Sequence, residues 1–349
     1  MRVTFDAVFR SASWLAYRLG IHHAHQRMFD RDRVTCIYYH DVARRSPLPE
    51  TALFVEEDVF WQHMHLVRKH YTPLGMSELL GRDRLPPYPL VLSFDGYSHT
   101  FLRVAEGLAA RGIKPLFYLQ TEPIVTGRPH WRQQLYFVFR QLDRQELCVD
   151  LNGESCTISV TGQARENLQA ARQLGQRLEL RGSAREVVCR LADRCGVDLG
   201  EFDTTYRPLT PDEVTKLAAI DGVEVGSHSH RHIASGDVPA AQARDELQTS
   251  KNLLQRWTDR QVIHYAYPSG LVTATMLPLL DETGYATAVV AAGRTFKPHL
   301  RPCWPYLIPR VAMANGPFYL LAGRLLGIDG CLRRFGRIRR GRTGGKRGR

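Results

Sequence analysis

LVLSFDGYSHTFLRVAEGLAARGIKPLFYL, residues 90–119, decides the architecture. Leu90-Val-Leu-Ser-Phe94 is an uninterrupted apolar run of strand length, and Phe101 to Ala110 repeats its apolar residues at helical spacing before stopping near Gly112. Pro115-Leu-Phe-Tyr-Leu119 is again an apolar run. Strand, helix, strand with both strands apolar throughout predicts parallel strands buried on both faces, and therefore a parallel sheet or barrel.

Working outward, Val34-Thr-Cys-Ile-Tyr-Tyr39 predicts an earlier strand ending at His40-Asp41, and Phe60, Met64 and Val67 mark the helix after it. The alternation resumes with Val223-Glu-Val225, a helix around Ala243, Leu247 and Leu254, the strand Val262-Ile-His-Tyr265, a helix from Leu277 to Glu282 closed by Gly284, and a strand from Ala286 to Ala291. Between about 122 and 207 the pattern changes. Cys148 to Leu151, Asn152-Gly153 and Cys156 to Val160 read as a hairpin with a two-residue turn, so this segment is expected to be an insertion. Residues 1–30 are expected to form an N-terminal amphipathic helix, with Phe5, Val8, Phe9, Ala12, Leu15, Ala16 and Leu19 on its stripe, residues 31–325 the α/β body, and 326–349 a basic, disordered tail.

The net charge of +12 is concentrated at one end, because nine Arg and Lys lie between Arg333 and Arg349. Without them the body carries about +3 and shows no basic stripe interleaved with aromatics, which argues against specific nucleic-acid binding. A basic tail beside an amphipathic helix suggests peripheral contact with an anionic membrane. Seven cysteines, odd in number and without a CxxC pair, read as free thiols, and no apolar stretch reaches the length of a signal-peptide core or a membrane span. A cytoplasmic protein is expected.

Three strand ends carry candidate chemistry. Gly226-Ser-His228-Ser-His230-Arg-His232 places two imidazoles four residues apart, a spacing that on a helical turn points both at one spot and suits a divalent metal such as zinc. His230, in between, is expected to face away. Ser93-Phe-Asp95-Gly96-Tyr97 puts a carboxylate at a tight turn, where it is expected to be exposed at the strand's mouth. Asp plus two His would make three ligands with open positions for water. Tyr265-Ala-Tyr267-Pro268-Ser-Gly270 follows another strand.

In order along the chain, these pieces resemble the polysaccharide deacetylases of the NodB-homology class, carbohydrate esterase family four, in the bacterial branch with an Ala-Tyr-Pro motif. Tyr39-His40-Asp41-Val42 is similar to that family's Tyr-His-x-Val, residues 93–97 to its Thr-Phe-Asp-Asp-Gly-Tyr, and residues 226–232 to its Gly-Ser-His-Thr-x-x-His. Residues 265–270 resemble Phe-Ala-Tyr-Pro-Tyr-Gly, and Glu246, Ser250-Lys251 and Leu307-Ile-Pro309-Arg310 are further matches. The resemblance implies a distorted, incomplete (β/α) barrel with the hairpin-containing insertion. It implies removal of N-acetyl groups from N-acetylhexosamine in a polysaccharide or lipid-linked sugar, with a role in exopolysaccharide biosynthesis.

It also implies a metal on Asp95, His228 and His232, catalytic roles for Asp95 and for the backbone near Tyr267, and substrate contacts at Tyr97, Tyr267, Pro268 and Arg310. The family's two adjacent carboxylates, base then ligand, are here the single Asp95. Counted back from Gly96 it is the metal ligand, the reading the glycine turn favours; counted forward from Phe94 it is the base. Activity is therefore expected to be reduced, and the alternative is an inactive relative that binds the saccharide. For the acid that protonates the leaving amine, His264 and His299 are candidates.

Overall fold

The structure is a computed structural model that describes residues 5–29, 31–151, 154–179, 184–233, 238–272, 275–291, 305–326 and 328. The Asn152-Gly153 turn, His299, Cys303, Cys331 and the basic tail lie outside the described residues.

The central sheet is a nearly closed barrel of parallel strands. Its order runs Ile308–Pro309, Thr287–Val290, His264–Ala266, Glu224–Ser227, Pro115–Leu119, Pro89–Gly96, Thr35–Tyr39, Val311–Ala312, with the short Thr72–Pro73 strand added at the start of Pro89–Gly96. The first and last members of that order are one continuous piece of chain. Ile308 and Pro309 pair with Val289 and Val290 on one side, and Val311 and Ala312 pair with Ile37 and Tyr38 on the other. Arg310 sits at the crossover, its N–H donating to the Val290 carbonyl at 2.8 Å, and Met313 donates to the Tyr38 carbonyl at 2.9 Å. This segment closes the barrel.

Apolar strands form because both faces are covered: Leu90, Leu92, Phe94, Phe117 and Leu119 are buried with Phe60, Met64, Phe101, Val104 and Leu108 from the surrounding helices. The helices Glu57–His70 and Thr100–Ala109 carry those residues at the spacing their sequences show. Strand His264–Ala266 begins two residues later than the apolar run suggests. The reason is local, since the Val262 N–H is taken by the Gln255 side chain at 3.2 Å and not by a ladder carbonyl.

The segment expected as an insertion builds a second core. Leu135, Phe139, Leu174, Val188 and Phe202 bury one another and pack on Leu48 and on Phe54 of the short strand Phe54–Glu56, both from the segment after the first barrel strand. It contains the helices Trp131–Arg140, Ala164–Glu179 and Ala184–Cys195 and the antiparallel hairpin Gln145–Asp150 with Ser155–Val160. The N-terminal region is two helices, Phe5–Arg18 and Ile21–Phe29, and not one. Only part of the apolar stripe docks: Phe9 and Ala16 are buried, whereas Val8, Leu15 and Leu19 are exposed. The docked face meets the helix Tyr319–Leu325, where backbones approach so closely that a Cβ on Gly323 would fall within 2.6 Å of Ser13 Cβ. Among the described residues, no helix is long and apolar enough to cross a membrane.

Candidate active site

Parallel barrels collect side chains at the carboxyl ends of their strands, where loops are free to vary. A cavity of about 480 Å³ opens at this end, and His40, Asp95, Gln120, His228 and Tyr267, each at or just past a strand terminus, line it together with His232 and Arg310.

Asp95 is not exposed at the mouth as its turn suggested. It is 4% exposed, and both of its oxygens accept from Arg310, Nη1 to Oδ1 and Nη2 to Oδ2, each at 2.6 Å. The Arg310 guanidinium also donates to Ser93 Oγ at 3.1 Å and lies 4.2 Å over the Tyr38 ring. Burial pushes the Asp95 carboxyl up, but the adjacent guanidinium outweighs it and the net shift is below the ordinary carboxylate value. Arg310, expected at the substrate, is thus the buried counter-ion of Asp95.

The histidine segment is a loop and not a helical turn. Strand Glu224–Ser227 ends, Ser229 and His232 both take positive φ (63° and 61°), and the loop folds back so that the His228 and His232 rings lie 4.9 Å apart. Gly226 is needed just before it, because a Cβ there would meet the Tyr118 ring at 2.7 Å. Glu246, buried on the helix Ala240–Thr258, anchors the loop by accepting from the backbone N–H groups of His230 (3.1 Å) and Arg231 (2.8 Å) and from Arg231 Nε (2.6 Å). His232 N–H donates to Ser229 Oγ at 2.9 Å. His230 faces away, as expected, with Nδ1 2.9 Å from Thr121 Oγ1.

His228 Nδ1 donates to the Ala266 carbonyl at 2.9 Å, which leaves Nε2 as the lone-pair nitrogen, the arrangement metal-bound histidines show. Nδ1 of His232 is buried without a hydrogen-bond partner. Burial drives both imidazoles below their ordinary pKa, His232 far below with His228 and His130 adding to the effect, so both are neutral near pH 7. The pair fits a soft or borderline divalent ion. Asp95 does not join it: the carboxylate is engaged by Arg310, and no group of three or more His, Cys, Asp or Glu among the described residues could hold a metal.

Tyr97 and Tyr267 line the cavity, but their polar atoms have other partners. The Tyr97 hydroxyl donates to Gln133 Oε1 and accepts from the His130 N–H, tying the barrel to the inserted lobe. The Tyr267 N–H donates to Val289 at 3.3 Å and its hydroxyl to the Tyr306 carbonyl at 3.1 Å. Pro268 opens the short 3-10 turn Pro268–Gly270 behind the cavity. His264 is at the opposite end of the barrel, beside Ser77 and Glu224, and takes no part.

Sequence reasoning missed His130, which reaches the cavity from the inserted lobe with its ring 5.4 Å from His232. Burial depresses its pKa to about 3, with Arg132 and Arg185 assisting. No spacing rule marks it. His40 is marked by its place directly after the strand Thr35–Tyr39, at the carboxyl end where the cavity opens.

Residues 157–288 match the sequence model described as Polysaccharide deacetylase, a span that holds both histidines and Tyr267 but neither Asp95 nor Arg310. No curated protein matches the chain. Among solved structures, it is similar to the Streptococcus pyogenes deacetylase PplD in complex with acetate (15% identity, TM-score 0.52, covering 81% of this chain and 93% of that one). It is also similar to a Bacillus cereus polysaccharide deacetylase (16%, TM-score 0.51, 84% and 69%) and to IcaB from Ammonifex degensii (14%, TM-score 0.51, 84% and 96%). Residues 157–288 thus carry the polysaccharide deacetylase signature, and the chain shares its fold with these solved deacetylases.

Proposed function

We propose that the protein is a hydrolase of carbon–nitrogen bonds, removing the N-acetyl group from an N-acetylhexosamine in a polysaccharide or lipid-linked sugar, at reduced rate and in exopolysaccharide biosynthesis. The observation that carries this reading is the buried Asp95–Arg310 pair beside His228 and His232 in one strand-end cavity.

The geometry favours Asp95 as the base and not as a ligand. Arg310 holds the carboxylate ionised, and each oxygen keeps a second lone pair with which to accept the proton of an attacking water. His228 and His232 would hold a divalent ion, zinc first, which when bound supplies Lewis-acid polarisation of the acetyl carbonyl. Tyr267 forms the wall, and the oxyanion donor at that edge falls to the N–H of Ser269, which lines the cavity. His40 lines the cavity where His264 does not, and burial outweighs the Asp95 charge to hold its pKa below the ordinary imidazole value, so it faces the site as a neutral imidazole.

A second reading is favoured by one observation: a single carboxylate serves where the family pattern has two, and among the described residues no third metal ligand joins the histidines. On that reading the cavity binds the saccharide without turning it over. Acetate release from chitin oligosaccharides decides between them. The wild type should be active with added zinc and inhibited by chelator, with Asp95→Asn and His228→Ala each lowering the rate by about two to four orders of magnitude. Wild-type protein that releases no acetate, with a folded, metal-binding variant carrying one Asp inserted after Asp95 releasing no more, would establish the binder, whereas a gain of at least tenfold in that variant supports the deacetylase.

We place the protein at the cytoplasmic side of an anionic membrane. The free thiols Cys36, Cys148, Cys156, Cys189 and Cys195 suit a reducing compartment, and the first helix presents Val8 and Leu15 to solvent, with Leu19 exposed just past its end and Arg10 and Arg18 on the same segment.

A further inference from the structure

The cavity does not end at the barrel. A second cleft of about 440 Å³ shares Thr51, Arg172 and Gln176 with it and continues along the exposed face of the inserted helix Ala164–Glu179. Arg165, Gln169, Arg172 and Gln176 recur there at i, i+4, i+7 and i+11, one stripe about 16 Å long at 1.5 Å per residue. Such a stripe is longer than one sugar ring and offers only polar heads.

The charge balance is one-sided. Among the described residues lining the two clefts, the Asp95–Arg310 pair balances itself, Arg132, Arg165 and Arg172 are the remaining cations, and Glu50, which meets Arg140 at 3.1 Å, is the remaining carboxylate. A groove of one sign focuses its field on a ligand of the other, and guanidinium forks match carboxylates in particular. Glutamines between the arginines can bond ring hydroxyls.

We propose that this groove binds an acidic glycan chain, in which N-acetylhexosamine alternates with carboxylate-bearing sugars, and leads it to the strand-end cavity. The repeat of Arg165 and Arg172 at one-stripe spacing suits a repeating charge better than a single terminal phosphate. The proposal rests on the deacetylase reading for what happens in the cavity, but not for binding along the helix.

Calorimetry with the full chain tests it, using three probes: a hexasaccharide of alternating glucuronate and N-acetylglucosamine, chitohexaose, and the nucleotide sugar UDP-N-acetylglucosamine. The acidic hexasaccharide should bind at least tenfold more tightly than chitohexaose. That preference should vanish in Arg165→Gln with Arg172→Gln, persist in the corresponding double Lys variant, and shrink with salt. Equal affinity for both hexasaccharides, or a preference indifferent to the Gln variant, overturns the groove; tightest binding of the nucleotide sugar overturns its polymeric ligand. Acetate release separates the two readings. Arginine-dependent binding with no acetate from any probe leaves the groove standing and removes the deacetylase, whereas deacetylation of chitohexaose with no acidic preference does the reverse.

Discussion

At the scale of single residues, the site depends on one ion pair buried at the barrel seam. Replacing Arg310 with Met removes the guanidinium from which both Asp95 oxygens accept and leaves a carboxylate in a low-dielectric interior. Breaking a buried pair from one side costs about 3–5 kcal/mol, so Arg310→Met should lower the urea midpoint markedly, and Arg310→Met with Asp95→Leu should recover much of the loss. A midpoint unchanged in the single variant would mean the pair is solvated. The sequence showed Asp95, the two histidines and Tyr267 because strand-end residues of these types stand out locally. It could not show that Arg310, 215 positions later, takes both oxygens of Asp95, since nothing in either motif encodes the closure that brings them together.

Among the elements, strands and helices of the body were legible because each has a fully apolar strand or a clean helical stripe, and the Pro115–Leu119 strand agrees residue for residue. The histidine loop was not, because positive φ at Ser229 and His232 has no sequence mark comparable to glycine. What holds that loop is Glu246. Glu246→Gln should keep the helical circular dichroism signal yet weaken zinc binding about 10- to 100-fold by equilibrium dialysis, the usual cost of losing an outer support. A second carboxylate reports through pH. Glu213 accepts from the N–H of the N-cap Thr210 in a capping box and pairs with both terminal nitrogens of Arg207 at 2.7 Å, and the bond to Arg207 takes its pKa down to about 2. A depressed carboxylate stabilises the fold fully above its unfolded pKa, near 4.5, and loses that contribution as pH falls toward about 2. Glu213→Gln should therefore be less stable than wild type at pH 7 and converge with it in acid.

For the whole molecule, the helices and hairpin between about 122 and 207 and the N-terminal helix pair each add a surface beside the barrel. If the exposed Val8, Leu15 and Leu19 meet a membrane, Leu15→Ser with Leu19→Ser should reduce sedimentation with anionic vesicles, and deleting residues 333–349 should reduce it further at low salt. Vesicle binding indifferent to both changes would assign that stripe to another contact. The seam has a consequence for synthesis. Strand Thr35–Tyr39 emerges early from the ribosome, yet the neighbour that covers its outer edge, Val311–Ala312, is made more than two hundred and seventy residues later. Until then one rim of the nascent sheet offers unpaired amides to any passing strand, and Asp95 has no guanidinium. A shortened chain ending before residue 308 would leave both rims open permanently, making it prone to edge-to-edge association and leaving Asp95 without its counter-ion, however well its remaining helices folded.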